Sequence, residues 1–168
     1  MFQVGDRIVY PLHGAGVIEA IEEKEILGEN KIYYILNIPH KNVQIMIPKD
    51  KAGESGMRRI VDPETLESVL EDFYEGDTDP TIYENQRYCV SLNKSKIKSG
   101  DIHQGTEIIR DLMRKSKRAK LGVEDRNMLD NARKILISEL VEVKGIEQQE
   151  AVELLDEVIE SEQSVSSL

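Results

Sequence analysis

Over residues 1–61 the apolar positions come in short runs, several of them alternating with polar ones, and turn residues punctuate them. Asp6-Arg7-Ile8-Val9-Tyr10 stops at Pro11, and a second run resumes after Gly14-Ala15-Gly16 from Val17 to Ile26. Leu27-Gly28-Glu29-Asn30 then precedes Ile32 to Ile38, and His40-Lys41-Asn42 precedes Val43-Gln44-Ile45-Met46-Ile47, so hairpins are the predicted connections. In the last run Val43, Ile45 and Ile47 share one face and Gln44 and Met46 the other, until Pro48 withdraws a ladder donor. Met57 to Val61 could close the sheet. Short strands in so few residues cannot cover two flat sheets, so a small, curved Tudor-like or SH3-like β-barrel is predicted.

Beyond residue 61 the period lengthens to that of a helix. Asp62 before Pro63-Glu64-Thr65 reads as an N-cap, and Leu66, Val69, Leu70 and Phe73 form the first stripe. Glu75-Gly76-Asp77-Thr78-Asp79-Pro80 is a linker by composition. A second helix is predicted from about Glu84 to Lys98, and a third from Ile102 to about Leu121 with Ile108, Ile109, Leu112 and Met113 inward. A fourth carries Leu129, Ala132, Ile135, Leu136 and Leu140 as far as Gly145. A last one carries Ala151, Leu154, Leu155, Val158 and Ile159 before fraying from Ser161. The expected architecture is therefore α+β, a barrel over 1–61 followed by an all-α bundle over 62–168.

Charge changes the picture. The chain carries a net −10, which by itself argues against contact with nucleic acid. The charge is segregated, however. Residues 62–84 hold nine acidic and no basic groups, residues 85–122 hold three acidic and ten basic, and residues 123–168 hold twelve acidic and four basic. One basic cassette thus lies between acidic segments, and at physiological salt a phosphate touching it is screened from charges more than about 8 Å away. The other reading is a solvated helix face with cations at its C-terminus.

Signs of catalysis are few. Gly14-Ala15-Gly16 lacks the third glycine of a dinucleotide loop, Glu19 standing there, and it enters a strand, so it reads as a bend or bulge. His13, His40 and His103 have no ligand spacing, and no cofactor or metal is expected. Cys89, the single cysteine, reads as a small buried residue. No apolar run approaches the roughly 20 residues of a membrane span, and the N-terminus has no basic, apolar leader, so a cytoplasmic, non-enzymatic protein is expected.

Val4-Gly5-Asp6-Arg7-Ile8-Val9-Tyr10-Pro11-Leu12-His13-Gly14-Ala15-Gly16-Val17-Ile18 resembles the opening signature of the CarD/CdnL family of bacterial transcription regulators, whose N-terminal module is shared with the transcription-repair coupling factor. Ser99-Gly100-Asp101 with Glu107-Ile108-Ile109-Arg110-Asp111-Leu112, and Met128 to Leu136 with Glu139-Leu140, resemble its helical signatures, in order, over roughly residues 1–160. The resemblance implies a Tudor-like RNA-polymerase-interacting domain and a helical domain that touches promoter DNA at the upstream fork of the bubble. The expected polymerase β-subunit contacts are the strand Val43, Gln44, Ile45, Met46, Ile47, which could add an edge to the partner's sheet, and Lys24. Lys24 and Met46 stand where relatives place polymerase-contacting, often basic, side chains; at Met46 an apolar contact is expected instead. Relatives also present a Trp wedge before a helix. This chain has no Trp, and Tyr83 is its nearest equivalent. The other reading of Tyr83 is a staple between linker and helix. Arg87, Lys94, Lys96, Lys98, Arg114, Lys115, Lys117 and Arg118 are the implied phosphate contacts, positioning the wedge without reading sequence. The rival expectation is an adaptor that docks on polymerase and uses its bundle to hold another protein, leaving DNA alone.

Overall fold

The structure, a computed structural model, describes residues 1–11 and 13–166, together with their side chains except those of His40 and 162–166. Leu12 of the opening signature, the histidine side chain expected at position 40 and the last two residues of the tail lie outside the described residues.

Among the described residues five antiparallel strands, β1 (Arg7–Tyr10), β2 (Gly14–Ile26), β3 (Glu29–Ile38), β4 (Val43–Pro48) and β5 (Arg58–Arg59), form one sheet in the order β4-β3-β2-β1-β5. This is the Tudor-like arrangement the alternation predicted, but Met57 to Val61 does not close it: β5 pairs with β1 over only Ile8↔Arg59 and Val9↔Arg58. Among the described residues no ladder joins β4 to β5, so the sheet curls and keeps two edges. The curl comes from β2. Its register with β3 shifts between Ile18 and Ala20, leaving Glu19 as an extra residue. Gly14 holds φ +98°, and a Cβ on Gly16 would collide with the carbonyl of Asn37 across the ladder. Ile8, Ile18, Tyr34, Leu36, Ile38 and Ile47 make the core of this half.

Among the described residues six α-helices follow: α1 (Pro63–Glu71), α2 (Thr81–Glu84), α3 (Gln86–Ser99), α4 (Ile102–Arg118), α5 (Val123–Lys144) and α6 (Gln148–Ser166). Asp62 caps α1 as expected, accepting from Thr65 N. The helix expected from about Glu84 to Lys98 is α3, and a separate turn that the periodicity did not mark, α2, precedes it. Asn85 adopts φ −129° and its side chain accepts from Tyr88 N, so this short amide starts α3 and leaves α2 as a single turn behind Pro80. Fraying from Ser161 is not observed either, because the α6 backbone stays helical to Ser166. The predicted stripes do converge. Leu66, Ile82, Cys89, Ile108, Ile109, Leu112, Leu140 and Leu155 are buried in one cluster.

Sheet and bundle meet across β1, β2, β5 and α5. Ser138 Oγ accepts from Ala15 N at 2.9 Å, and Arg58 forks onto both carboxylate oxygens of Glu139 at 2.7 Å each. Glu139 Oε2 also accepts from Val61 N at 2.9 Å. Beside them Gly56 and Gly100, with φ +80° and +73°, press backbone to backbone, so that a Cβ on either would strike a carbonyl from the other side of the junction.

Candidate protein and nucleic-acid contact surfaces

Of the two sheet edges, β5 is two residues long and turned toward α5 by Arg58. β4 has six residues, about 20 Å of strand, paired on one side to β3 from Tyr33↔Pro48 to Ile38↔Val43. Ile47 is buried and Ile45 half-buried, whereas Met46 and Val43 are exposed. Val43 keeps the alternation with Ile45 and Ile47 but, at the strand start, is exposed. Gln44 lies on the outer face and donates to Glu19 Oε2 at 2.9 Å, so the bulged residue of β2 reaches across to steady β4. Lys24 lies away from this edge. Met46, Ile35 and Ala20 lie level across the ladder, while Lys24 is four residues further along β2, about 13 Å, and pairs with Glu22 at 3.4 Å.

In the bundle, α3 and α4 run antiparallel, since Gln86 meets Lys115 and Lys96 meets Glu107. Three of the expected phosphate contacts are committed inside the protein. Lys96 pairs with Glu107 at 2.8 Å and sits 3.9 Å from Asp111. Lys115 donates to Gln86 Oε1 and to Asp125 Oδ2 at 2.7 Å. Arg114 donates to the carbonyls of Tyr74 and Gly76 and to Thr78 Oγ1, at 2.9–3.1 Å. The reason is local neutralisation: linker carbonyls and buried Asp111 and Asp125 each require a donor.

Arg87, Lys94, Lys98, Lys117 and Arg118 keep exposed side chains. Arg87, Lys94 and Lys98 follow the i, i+7, i+11 spacing of one helical stripe on α3. Antiparallel packing then sorts the cations: Arg87 lies by the C-terminal end of α4 with Lys117 and Arg118, and Lys98 lies about 16 Å away, at the sheet junction. Tyr83 belongs to the first group. Its ring is half-buried, and the Arg118 guanidinium carbon lies 3.6 Å from the ring centroid. Ile82 beside it is buried, which anchors α2 in the bundle.

The loop that delivers Tyr83 is held by residues the sequence reading passed over. Arg110 donates to the Glu75 carbonyl at 2.6 Å and to Asp111 Oδ1 at 3.0 Å, and Asp111 Oδ1 accepts from Thr78 Oγ1 at 2.6 Å. Asp79 accepts from Tyr88 Oη at 2.7 Å and from Thr81 N at 2.9 Å. The Tyr88 hydrogen bond, then that of Thr81, hold the Asp79 carboxyl below the ordinary range, and the same contact raises the Tyr88 phenol. The available signal was the four-residue spacing of Arg110, Arg114 and Arg118, which fits one helix face, but spacing alone does not name what lies opposite.

Below α3, burial first and the Asp125 charge second push the Cys89 thiol up, with Lys115 opposing. Burial works against the Lys115 ammonium, yet its hydrogen bond to Asp125 and the neighbouring Cys89 sulfur outweigh it and raise its pKa. Cys89 is thus buried as expected, among polar partners instead of purely apolar ones. Among the described residues no cluster of three or more His, Cys, Asp or Glu could hold a metal, and no helix is long and apolar enough to cross a membrane.

Residues 2–61 match the family model "CarD-like/TRCF RID domain", and residues 68–156 match "CarD, C-terminal domain". The chain is also 47% identical over 146 residues to the Bacillus subtilis (strain 168) protein described as "Putative transcription factor YdeB", covering 87% of this chain and 94% of that one. The chain belongs to the CarD family. The solved N-terminal domain of Myxococcus xanthus CarD is 30% identical, with a TM-score of 0.31, over 35% of this chain and 79% of that domain. As a CarD-family transcription factor the protein carries a polymerase-interacting module in the curled sheet and the CarD C-terminal module in the helices. Its β4 edge and its Tyr83 end belong to different modules, joined through the Arg58–Glu139 junction.

Proposed function

We propose that this CarD-family protein binds the RNA polymerase β subunit along the outer edge of β4 and stabilises the open promoter complex by stacking Tyr83 at the upstream fork of the bubble. Residues 1–61 act as the polymerase tether and residues 62–168 as the DNA-contacting part; the protein reaches the nucleoid through polymerase. The observation that carries this reading is Tyr83 itself: a half-exposed ring on a one-turn helix, with Arg118 on its face and Arg87 and Lys117 at the same end of the bundle. Met46 contributes an apolar contact on the strand edge, and Lys24 reaches the partner from the far end of the β2–β3 hairpin. An acidic chain needs such a tether, because a tethered module meets its second site at millimolar effective concentration, where weak phosphate contacts suffice. Base–aromatic stacking is worth about 1–3 kcal/mol, so Tyr83→Ala is expected to shorten open-complex lifetime by roughly 5-fold to more than 100-fold, measured by competitor challenge.

The adaptor reading is favoured by one observation. Lys96, Arg114 and Lys115 are bound inside the protein, which leaves fewer cations for phosphate. Unchanged lifetime in Tyr83→Ala, with polymerase still bound, decides for the adaptor.

A further inference from the structure

Arg110, Arg114 and Arg118 stand four residues apart on α4 and face successive parts of the segment that carries Tyr83. The first two are tied down: Arg110 holds the Glu75 carbonyl, and Arg114 holds those of Tyr74 and Gly76. Arg118 differs. It is the last residue of the helix, its side chain is exposed, and among the described residues no ion pair engages it. Its contact is the Tyr83 ring, at 3.6 Å from the centroid, whereas Arg114 lies 5.8 Å from Tyr74. A planar group 3.6 Å above a ring occupies the place a stacked base would take.

We propose that Arg118 is a latch on Tyr83: in the free protein its guanidinium covers the stacking face, and at the promoter it moves to a backbone phosphate while a base at the fork takes the uncovered ring. This rests on the reading of Tyr83 as the wedge and adds the residue that gates it. The exchange conserves contacts. One stacked partner replaces another, and the released guanidinium gains a charge-assisted, bidentate site on phosphate in place of a solvent-exposed ring face. The pivot stays still, since Arg110, Arg114, Asp111 and Asp79 hold residues 74–81 without Arg118. The latch keeps an aromatic face covered until phosphate is present, so the wedge is released by DNA itself.

The absence of tryptophan makes the ring easy to follow, because Tyr83→Trp then gives the sole tryptophan of the 168-residue chain. Acrylamide quenching of that emission is expected to rise when Arg118→Ala is added, and equally when Arg118→Lys is added, since ammonium gives no planar cover. With polymerase holoenzyme and promoter, Arg118→Ala in the Tyr83 protein shortens open-complex lifetime and lowers the salt slope of the DNA contact by about one unit. Arg118→Lys restores the slope and most of the lifetime, which a merely ring-supporting residue would not do. If Tyr83→Ala leaves lifetime unchanged, the wedge falls and the latch with it. If Tyr83→Ala shortens lifetime but Arg118→Ala moves neither quenching nor salt slope, the latch alone is overturned. Failure of Arg118→Lys to restore the slope also overturns it.

Discussion

Replacing Arg58 by Ala removes the fork that joins sheet to bundle. Glu139 has 1% of its side chain exposed and accepts three hydrogen bonds, two from Arg58 and one from Val61 N. The variant keeps only the backbone donor and leaves a carboxylate sealed in the junction. Breaking a buried pair from one side costs about 3–5 kcal/mol. Arg58 is itself 23% exposed, so water can follow it in and the low end, near 3 kcal/mol, is expected. For a chain of this size that lowers Tm by roughly 6–12 °C, and the urea midpoint falls with the m-value unchanged. Arg7→Ala is the matched comparison. Arg7 also bridges to α5, but its side chain is 52% exposed and lies 3.7 Å from the Glu142 carboxylate, so less than about 1 kcal/mol is expected. Equal effects from the two variants, or a loss below about 1 kcal/mol for Arg58→Ala, would falsify the claim that Glu139 depends on Arg58 for its solvation. A functional consequence follows from the same geometry. If the proposed function holds, loosening this junction is expected to shorten open-complex lifetime while polymerase affinity is retained, because tether and wedge would then move independently.

Two further perturbations test the junction and the polar cluster under α3. Gly100→Ala is expected to cost more than about 2 kcal/mol, combining a positive φ with a Cβ driven into the Gly56 backbone, whereas Gly105→Ala, inside α4 with open space around it, gains about 0.5–1 kcal/mol; calorimetry on both reads the contrast, and equal signs refute it. The raised Cys89 and Lys115 groups contribute stability that is complete below their unfolded pKa values and is lost as pH rises through the folded ones, so denaturant stability falls above about pH 9. The decline is shallower in Cys89→Ala, and identical pH profiles for the two proteins would show that the thiol takes no part.

Much of the secondary structure was legible in the chain because it is locally encoded. Alternation marked β1 to β4, Asp62 marked the start of α1, and the apolar stripes of α4, α5 and α6 point inward as their spacing implies. Asn85 was the local exception: its amide starts α3 at Gln86, two residues after the expected Glu84, and sets it apart from the turn bearing Tyr83, which the periodicity did not mark. The cations were harder. Lys96, Arg114 and Lys115 are indistinguishable in composition from Arg87 and Lys98, yet the former meet Glu107, the linker carbonyls and Asp125.

What the sequence alone determined, then, is periodicity, family and the existence of a basic segment, each a property of neighbours along the chain. Which lysines and arginines remain available, that β4 stays an open edge, and that a guanidinium rests on the Tyr83 ring were decided only by folding. Each of these depends on groups brought together from distant positions, such as Arg58 with Glu139 or Tyr83 with Arg118, and charge is satisfied by whatever lies within a few ångströms in space, whatever its place in the sequence.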